Sequence, residues 1–286
     1  MNLHTHTRFC DGKSSIKEIH EAAIKLNWQF LGYSSHAPLP FDCKWAVNNK
    51  NVQQYCDEIN ELKQNQKDIL LFNGWEIDYL NGIGFPALKS EIINKADYFI
   101  CSLHFLKSPQ KKQGYIEIDG TLIDFIRCLS GFENDIEKMI SAYFSDLHKM
   151  LPLTVPGTKI IGHIDKFLLN ANKMPTFQNK KETFSNKLLE WLEQSLIENV
   201  IIEVNTRCIY KYQWQEPYPG IAALKYMSEK KIPCILSSDA HHYNELNLGF
   251  DHVYAICKEL DINLNFINQQ LPEIIKNNRK GANSNK

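Results

Sequence analysis

The sequence predicts an α/β fold in which parallel strands alternate with helices and close into a barrel. Seven short apolar segments are separated by stretches in which apolar residues recur at helical spacing. A length of 286 residues suits one barrel domain. Every one of the seven segments is followed closely by a polar residue that can bind metal or substrate. Because parallel barrels build their active sites at the carboxyl ends of the strands, these residues mark the predicted site.

The first half of the chain supplies four of the predicted strands. In the opening strand His4 and His6 are two residues apart, so their side chains point the same way and can bind one ion together. A capping box of Ser15 and Glu18 begins a helix that extends to about residue 27, and a second helix covers about 51 to 67. The next three strands, at 30–35, 69–72 and 96–103, lead to His36, Glu76 and His104.

The second half supplies three more strands and the longest connection. The strands at 159–162, 200–204 and 232–238 end at His163, Asn205 and Asp239, with His241 two residues beyond. Within the connection, residues 121–151 look helical, and we expect an insert at about 105–158 that acts as a lid. We expect one domain over 1–272, followed by a polar and flexible tail at 273–286.

Composition favours a small-molecule substrate. A formal net charge of −1 provides no basic surface for nucleic acid or for an anionic membrane. No apolar run is long enough to span a bilayer, and the first residues do not resemble a secretion signal. Eight cysteines are scattered without a Cys-x-x-Cys pair, which is typical of free thiols in a reducing compartment. We therefore expect a cytoplasmic protein.

The strand ends together offer six imidazoles and three carboxylates. This mixture of nitrogen and oxygen ligands suits Zn, Mn or Fe and is sufficient for two or three ions. A single strand-end histidine would as readily be a hydrogen-bonded core residue, but the placement repeats over several strands whose ends converge. Four further histidines, at 20, 148, 242 and 252, fall outside the pattern and are predicted to be ordinary. The predicted metal ligands are His4, His6, Asp11, His36, Glu76, His104, His163, Asp239 and His241.

Several short motifs that include these ligands resemble one known family. They are His4-Thr5-His6, Ser35-His36-Ala37-Pro38, Gly74-Trp75-Glu76-Ile77-Asp78-Tyr79, Ser102-Leu103-His104, Gly162-His163-Ile164-Asp165, Glu203-Val204-Asn205-Thr206 and Ser237-Ser238-Asp239-Ala240-His241. In this order they closely resemble the polymerase and histidinol phosphatase (PHP) superfamily, and specifically its histidinol-phosphatase branch. The resemblance extends from His4 to about Phe250.

The resemblance implies a distorted (β/α)7 TIM-like barrel with a cluster of three metal ions. One ion would take His4, His6, Glu76 and Asp239; a second would share Glu76 and add His104 and His163; a third would take Asp11, His36 and His241. Many members of the family have a histidine where this chain has Asp11. The implied reaction is the hydrolysis of L-histidinol phosphate to L-histidinol and phosphate in histidine biosynthesis.

Within this scheme Glu76, Asp239 and His241 are the predicted catalytic residues. Arg207, just beyond the sixth strand, is the predicted substrate-binding cation, because a guanidinium binds phosphate through two hydrogen bonds. Relatives often have an arginine three positions later, where this sequence has Tyr210. Four aromatic residues are candidates for lining the substrate pocket: Phe41, Trp45, Tyr143 and Trp214.

Three alternatives remain open at the level of sequence. An amidohydrolase also begins with His-x-His on a barrel, but usually uses a bridging lysine where this chain offers Glu76. A PHP-type nuclease or other phosphoesterase is disfavoured by the near-neutral charge. A non-catalytic metal-binding protein would not need so complete a ligand set.

Overall fold

A computed structural model describes residues 1–110, 114–198, 200–264 and 270–284, with side chains described as far as residue 278 in the last of these ranges. The strands are, in chain order, β1 Phe30–Tyr33, β2 Leu70–Asp78, β3 Tyr98–Ser102, β4 Phe105–Lys107, β5 Tyr115–Glu117, β6 Thr158–Ile161, β7 Ile201–Asn205 and β8 Cys234–Ser237. The α-helices are α1 Ile16–Lys25, α2 Val52–Asn65, α3 Leu122–Gly131, α4 Ile136–Met150, α5 Leu168–Ala171, α6 Lys181–Ser195, α7 Arg207–Tyr212, α8 Ile221–Lys230, α9 Phe250–Glu259 and α10 Leu271–Ser284.

Six strands form one curved parallel sheet in the order β1-β2-β3-β6-β7-β8. The opening segment of the chain joins the two edges of this sheet. Asn2 forms a parallel bridge with Leu31 on β1, and Thr5 forms another with Ala240, just beyond β8. The opening segment therefore serves as a seventh strand, and the predicted α/β barrel is confirmed.

The interior of the barrel changes from apolar to polar along the strands. Near the amino ends, Phe72, Tyr98 and Ile160 belong to an inner apolar cluster and are at most 4% exposed. Because strand side chains alternate in direction, Phe72 on β2 shares its face with Glu76 and Asp78. The interior near the amino ends of the strands is thus apolar, while the interior near their carboxyl ends contains the polar side chains.

Helix α1 illustrates how local sequence fixes an outer element. The hydroxyl of Ser15 accepts a hydrogen bond from the Glu18 amide, and the Glu18 carboxylate accepts one from the Ser15 amide, which confirms the predicted capping box. Ile16 and Ile19 are buried on the face toward the barrel. The helix ends at Lys25, two residues before the predicted end, and Asn27 takes a left-handed conformation with φ of 54°.

The connection between β3 and β6 contains an antiparallel hairpin of β4 and β5, followed by α3 and α4. The two helices lie within the predicted helical range of 121–151, which is confirmed. Phe125 of α3 and Ile140 of α4 are both buried in the main core outside the sheet, so this insert is packed against the barrel. Every helix in the described part of the chain is too short or too polar to cross a bilayer.

The end of the chain differs from the predicted loose tail, because helix α10 covers Leu271–Ser284. Leu271 and Ile275, which are 0% and 1% exposed, join the inner cluster of the barrel. The Asn278 amide also donates to the Thr158 hydroxyl at 3.1 Å, at the beginning of β6. Two apolar residues four apart form one helical stripe that the polar composition concealed. Helix α10 therefore covers the amino end of the barrel.

Candidate metal centre

Glu76, near the carboxyl end of β2, lies at the centre of the polar half of the barrel and is completely buried. Its two oxygens face different sets of imidazoles, so this one carboxylate is shared by five histidines from four segments of the barrel. From Oε1 the distances are 3.0 Å to His163 Nε2 and 3.3 Å to His104 Nε2, and from Oε2 they are 3.0 Å to His36 Nδ1, 3.1 Å to His4 Nε2 and 3.4 Å to His6 Nε2.

Asp239 and Asp11 complete the cluster on opposite sides of His6. Asp239 Oδ1 is 3.1 Å from His6 Nε2, while Asp11 Oδ1 is 3.8 Å from His6 Nδ1. His241 Nε2 lies 3.1 Å from Asp11 Oδ2, and His36 Nε2 is 3.9 Å from Asp11 Oδ1. The side chain of Asp11 is 35% exposed, so the cluster opens to solvent on this side. The structure thus brings all nine predicted ligands together.

The donor set and its spacing fit bound cations. Two ligands of a tetrahedral zinc ion at about 2.0 Å stand about 3.3 Å apart, which is close to most of the separations above. His6 Nε2, His36 Nδ1 and His104 Nε2 are buried ring nitrogens without a hydrogen-bond partner, although carboxylates lie nearby. Ligand atoms within 4.8 Å of one another form four overlapping groups: His6, Asp11, His36 and His241; His4, His6 and Asp239; His4, Glu76 and His163; and His36, Glu76 and His104.

Comparison with known proteins decides the family. The family model described as the PHP domain matches residues 2–207, well over half of the chain. The chain belongs to the PHP family. This range holds every predicted ligand except Asp239 and His241, which the barrel brings back to the opening segment.

Individual PHP relatives match along almost their whole length. The histidinol-phosphatase of Bacillus subtilis is 24% identical over 274 residues, which is 89% of this chain and 98% of the relative. A structure from Listeria monocytogenes, provisionally assigned as a histidinol phosphatase, superimposes with a TM-score of 0.71 at 22% identity, covering 87% of this chain and 98% of that one. The Lactococcus lactis histidinol phosphate phosphatase, solved with zinc, L-histidinol and phosphate, gives 0.62 at 17% identity, with coverages of 92% and 94%.

Two carboxylates of the PHP centre, Glu76 and Asp239, have lowered pKa values. Burial would raise the pKa of Glu76, but the imidazoles of His36, His4 and His104 hold it well below the usual carboxyl range. Burial would likewise raise the pKa of Asp239, yet the neighbouring His4 and Arg207 lower it. Both carboxylates are therefore ionised at neutral pH, which is the state that binds cations.

Two buried carboxylates outside the predicted ligand set orient the histidines. Glu203 Oε1 lies 2.5 Å from His4 Nδ1, and Asp78 Oδ1 lies 2.8 Å from His104 Nδ1. Each contact fixes the far ring nitrogen, so that the other nitrogen faces Glu76. Sequence analysis assigned no role to either residue. The available signals were a lone charge within the apolar strand β7 and the two-residue spacing of Asp78 from Glu76, which places both on one face.

Two cations flank Asp239. The Arg207 guanidinium donates through Nη1 to the Asp239 carbonyl at 2.7 Å, and its Nε is 4.0 Å from Asp239 Oδ2. Lys166 Nζ lies 3.0 Å from Asp119 Oδ2 and 4.0 Å from Asp239 Oδ2. Tyr210 contacts Arg207 Nη1 through its hydroxyl at 3.3 Å. Arg207 therefore lies beside Asp239, and Lys166, which the sequence places shortly after a strand end, lies there too.

Two of the four predicted pocket aromatics, Trp45 and Phe41, lie on the side of His36 and the β4–β5 hairpin, and the other two pack elsewhere. The Trp45 ring is centred 4.4 Å from the His36 ring, and Phe41 is 5.3 Å from Phe105. Tyr143 is instead buried in the main core, and Trp214 packs on Tyr218 at 5.5 Å. The four histidines predicted to be ordinary join none of the ligand groups formed by the described residues: His20, His148, His242 and His252.

Proposed function

We propose that this PHP protein is a metal-dependent phosphomonoester hydrolase that converts L-histidinol phosphate and water to L-histidinol and phosphate. The observation that carries the proposal is the convergence of six imidazoles on carboxylates at the carboxyl end of a barrel. Near-complete coverage of the Bacillus subtilis histidinol-phosphatase supports the choice of substrate. So does the Lactococcus lactis relative that was solved with L-histidinol and phosphate.

The proposal includes two or three divalent cations, with zinc the first candidate and Mn or Fe the others. The proposed sets are His4, His6, Glu76 and Asp239; Glu76, His104 and His163; and Asp11, His36 and His241. Glu76 suits a bridging role because its two oxygens face separate groups of imidazoles. When bound, such cations supply Lewis acidity, which polarises phosphoryl oxygens and lowers the pKa of a coordinated water.

The residues of the chain bind, orient and balance charge around the phosphoryl group. Glu76 and Asp239 hold negative charge in a dry part of the barrel. The His241 side chain is 13% exposed, so it lies at the mouth, and we assign it to the catalytic set with those two carboxylates. Arg207 and Lys166 place positive charge near Asp239, where it can neutralise phosphoryl oxygens. We propose Arg207 as the cation that binds the substrate phosphate.

The proposal also covers organisation and location. We propose that residues 1–272 together with the remainder of helix α10 form the metallophosphatase domain, because Ile275 belongs to its inner cluster, and that the insert at about 105–158 acts as a lid over the centre. Its hairpin of β4 and β5 lies next to His104, which supports a position at the mouth. All eight cysteines are free in the structure, which is consistent with action in the cytoplasm.

The proposed reaction can be tested by measuring phosphate release. Purified protein with a measured metal content is incubated with L-histidinol phosphate, with other small phosphomonoesters and with short single-stranded DNA. We expect histidinol phosphate to have the highest kcat/KM and DNA to be left intact. Preference for DNA would favour a nuclease, and absence of release from every substrate at full metal content would favour a non-catalytic metal-binding protein.

The variant Glu76→Gln tests the role of the metal centre in this activity. An amide bridges cations poorly, so we expect phosphate release to fall by about a hundredfold or more and metal content to fall with it. The matched control is Glu91→Gln, which changes an exposed carboxylate that belongs to none of the ligand groups among the described residues. Circular dichroism should show both variants folded. Activity within a few fold of wild type at full metal content would exclude Glu76 as a bridging ligand.

A further inference from the structure

Helix α7 presents Arg207 and Tyr210 side by side, next to the metal centre. The two residues are three apart, a spacing that makes side chains neighbours on a helix. Arg207 Nη1 donates to the Tyr210 hydroxyl at 3.3 Å, and this hydroxyl donates in turn to the Ser238 carbonyl at 2.8 Å. Tyr210 therefore links α7 to the segment just beyond β8, which carries Asp239.

Three oxygen atoms surround the Nη1 nitrogen of Arg207. Besides contacting the Tyr210 hydroxyl, Nη1 donates to the Asp239 carbonyl at 2.7 Å and lies 3.9 Å from Glu245 Oε2. The same Glu245 oxygen accepts a hydrogen bond from the His241 amide at 2.8 Å. Groups from three residues thus hold this nitrogen, and Glu245 relates its position to that of His241.

The opposite edge of the guanidinium, formed by Nε and Nη2, is open to a ligand. Within the described ranges, the side chain of Arg207 makes its hydrogen bonds through Nη1 and makes none through Nε or Nη2. Neither of these two nitrogens is among the buried polar atoms without a partner, so solvent reaches both. An edge of this kind can bind an oxyanion through two parallel hydrogen bonds.

We propose that Tyr210 is a positioning residue for Arg207. Its hydroxyl holds Nη1 so that the edge formed by Nε and Nη2 faces the phosphoryl oxygens of a substrate at the metal centre. The inference rests on the proposed phosphatase function and adds a residue that acts on it through Arg207. A side chain that is already held in place loses less freedom when it binds, so the hydroxyl should favour binding of phosphomonoesters and of free phosphate.

The variant Tyr210→Phe tests this role, because it removes the hydroxyl and keeps the ring. Binding of inorganic phosphate to the metal-loaded protein is measured by calorimetric titration, and KM and kcat are measured with L-histidinol phosphate. We expect phosphate binding to weaken about three- to tenfold. KM should rise by a similar factor with kcat nearly unchanged, because the contact is lost equally in the ground state and the transition state. Metal content should be unchanged.

A double-mutant cycle shows whether the Tyr210 hydroxyl acts through Arg207. In the Arg207→Ala background, Tyr210→Phe should weaken phosphate binding by about 1.5-fold or less, since the guanidinium that the hydroxyl positions is gone. A hydroxyl that only stabilises the fold would cause the same loss in both backgrounds. Equal losses in the two backgrounds, measured by titration and by kcat/KM, would therefore overturn the proposal.

The matched control is Tyr212→Phe on the same helix. Tyr212 is 40% exposed, and its hydroxyl makes no hydrogen bond within the part of the chain that the structure describes. The control should leave phosphate affinity and KM unchanged, and circular dichroism should show both variants folded. A loss in Tyr212→Phe that matches the loss in Tyr210→Phe would also overturn the proposal.

The titration separates failure of this inference from failure of the proposed function. If the wild type releases phosphate from none of the substrates, the phosphatase proposal fails, and titration with inorganic phosphate alone decides the role of Tyr210. No binding of phosphate to the wild type, or equal affinity of wild type and Tyr210→Phe, would contradict that role. If the wild type is active but Tyr210→Phe keeps its KM and its phosphate affinity, the positioning role fails and the phosphatase proposal stands.

Discussion

Asp239 shows how much one residue contributes to the centre. Its backbone is left-handed, with φ of 54°, a conformation that aspartate tolerates better than most residues and that occurs often at functional sites. Its carboxylate faces His6, while its carbonyl accepts a hydrogen bond from Arg207. Asp239 is therefore both a proposed metal ligand and the residue that positions Arg207, the proposed phosphate-binding cation. The geometries of the two are coupled.

Arg207→Ala tests the cation at this position. Arg207 contacts Asp239 but no predicted ion, so the variant should keep its metals and lose phosphate binding. A charge-assisted contact contributes about 1.5–3 kcal/mol, so we expect kcat/KM for phosphomonoesters to fall roughly ten- to a hundredfold. Arg207→Lys should recover part of the loss, because an ammonium keeps the charge without the planar fork. Steady-state kinetics and elemental analysis provide the measurements.

The control for Arg207→Ala is Arg127→Ala, which removes an exposed arginine from α3 and should have no effect on kinetics. Wild-type kcat/KM in the Arg207→Ala variant would contradict the assignment and direct attention to Lys166. Loss of metal would instead show that Arg207 supports the centre through Asp239.

Most of the ligands could be predicted from sequence because they lie at or just beyond the carboxyl end of a strand. The position of a residue relative to a strand can be predicted from the local sequence. The barrel then brings the carboxyl ends of its strands, and the residues on them, close together. Glu203 and Asp78 were not assigned because their partners are set by the register between strands. In β2 and β3, for example, Glu76 pairs with Ile100, which places the Ser102 hydroxyl 2.6 Å from Glu76 Oε1. No spacing along the chain carries that information.

At the scale of elements, Tyr98 of β3 fixes the opening segment to the sheet. Its ring occupies space left by two glycines on neighbouring strands, since a Cβ at Gly74 or Gly32 would lie 2.3 or 2.4 Å from an atom of Tyr98. Its hydroxyl donates to the Leu3 carbonyl at 2.6 Å. The barrel therefore closes around an aromatic ring that reaches across the interior to the residue before His4.

Tyr98→Phe should destabilise the protein by leaving the buried Leu3 carbonyl without this partner. We expect the free energy of unfolding to fall by about 1–3 kcal/mol, measured by urea denaturation. Tyr212→Phe, which changes a tyrosine that is 40% exposed, is the control and should be neutral. Equal stabilities of the Tyr98→Phe variant and wild type would show that Leu3 finds another donor.

The elements with clear periodicity were predicted, and those without it were missed. The barrel strands are apolar runs, and α1 has both a capping box and an apolar stripe. Strands β4 and β5 are three residues each and form a two-stranded sheet, so their composition contains no distinct pattern. Helix α10 was missed because its stability comes from contact with the barrel and not from its own sequence.

At the scale of the whole molecule, α10 covers the end of the barrel opposite the metal centre. Leu271 and Ile275 share a cluster with Phe30 and Phe72, so the inner core is completed by the last helix. The amino end of a parallel barrel usually contributes stability, and the carboxyl end chemistry. The two ends of this molecule should therefore respond differently to mutation.

Ile275→Ala tests this separation. Removing a buried isoleucine leaves a cavity and should lower the free energy of unfolding by about 2–4 kcal/mol, measured by urea denaturation. Metal content and kcat at temperatures below unfolding should be unchanged. The control Lys276→Ala alters the adjacent exposed residue and should shift stability by about 0.5 kcal/mol or less. A loss of stability in Ile275→Ala no larger than in the control would show that α10 does not complete the core.

Closure of the barrel by the opening segment also determines when the metal centre can assemble during synthesis of the protein. Asn2 donates to the Ser238 hydroxyl, 236 residues away along the chain, and Thr5 pairs with Ala240. On the ribosome, His4 and His6 emerge before Asp239 but cannot meet it until nearly the whole barrel has been translated. Contacts between such distant residues form late, because a long loop must close before they are made. The centre is consequently assembled only after translation of β8, so a nascent chain that stalls earlier cannot yet present the complete ligand set to a metal ion.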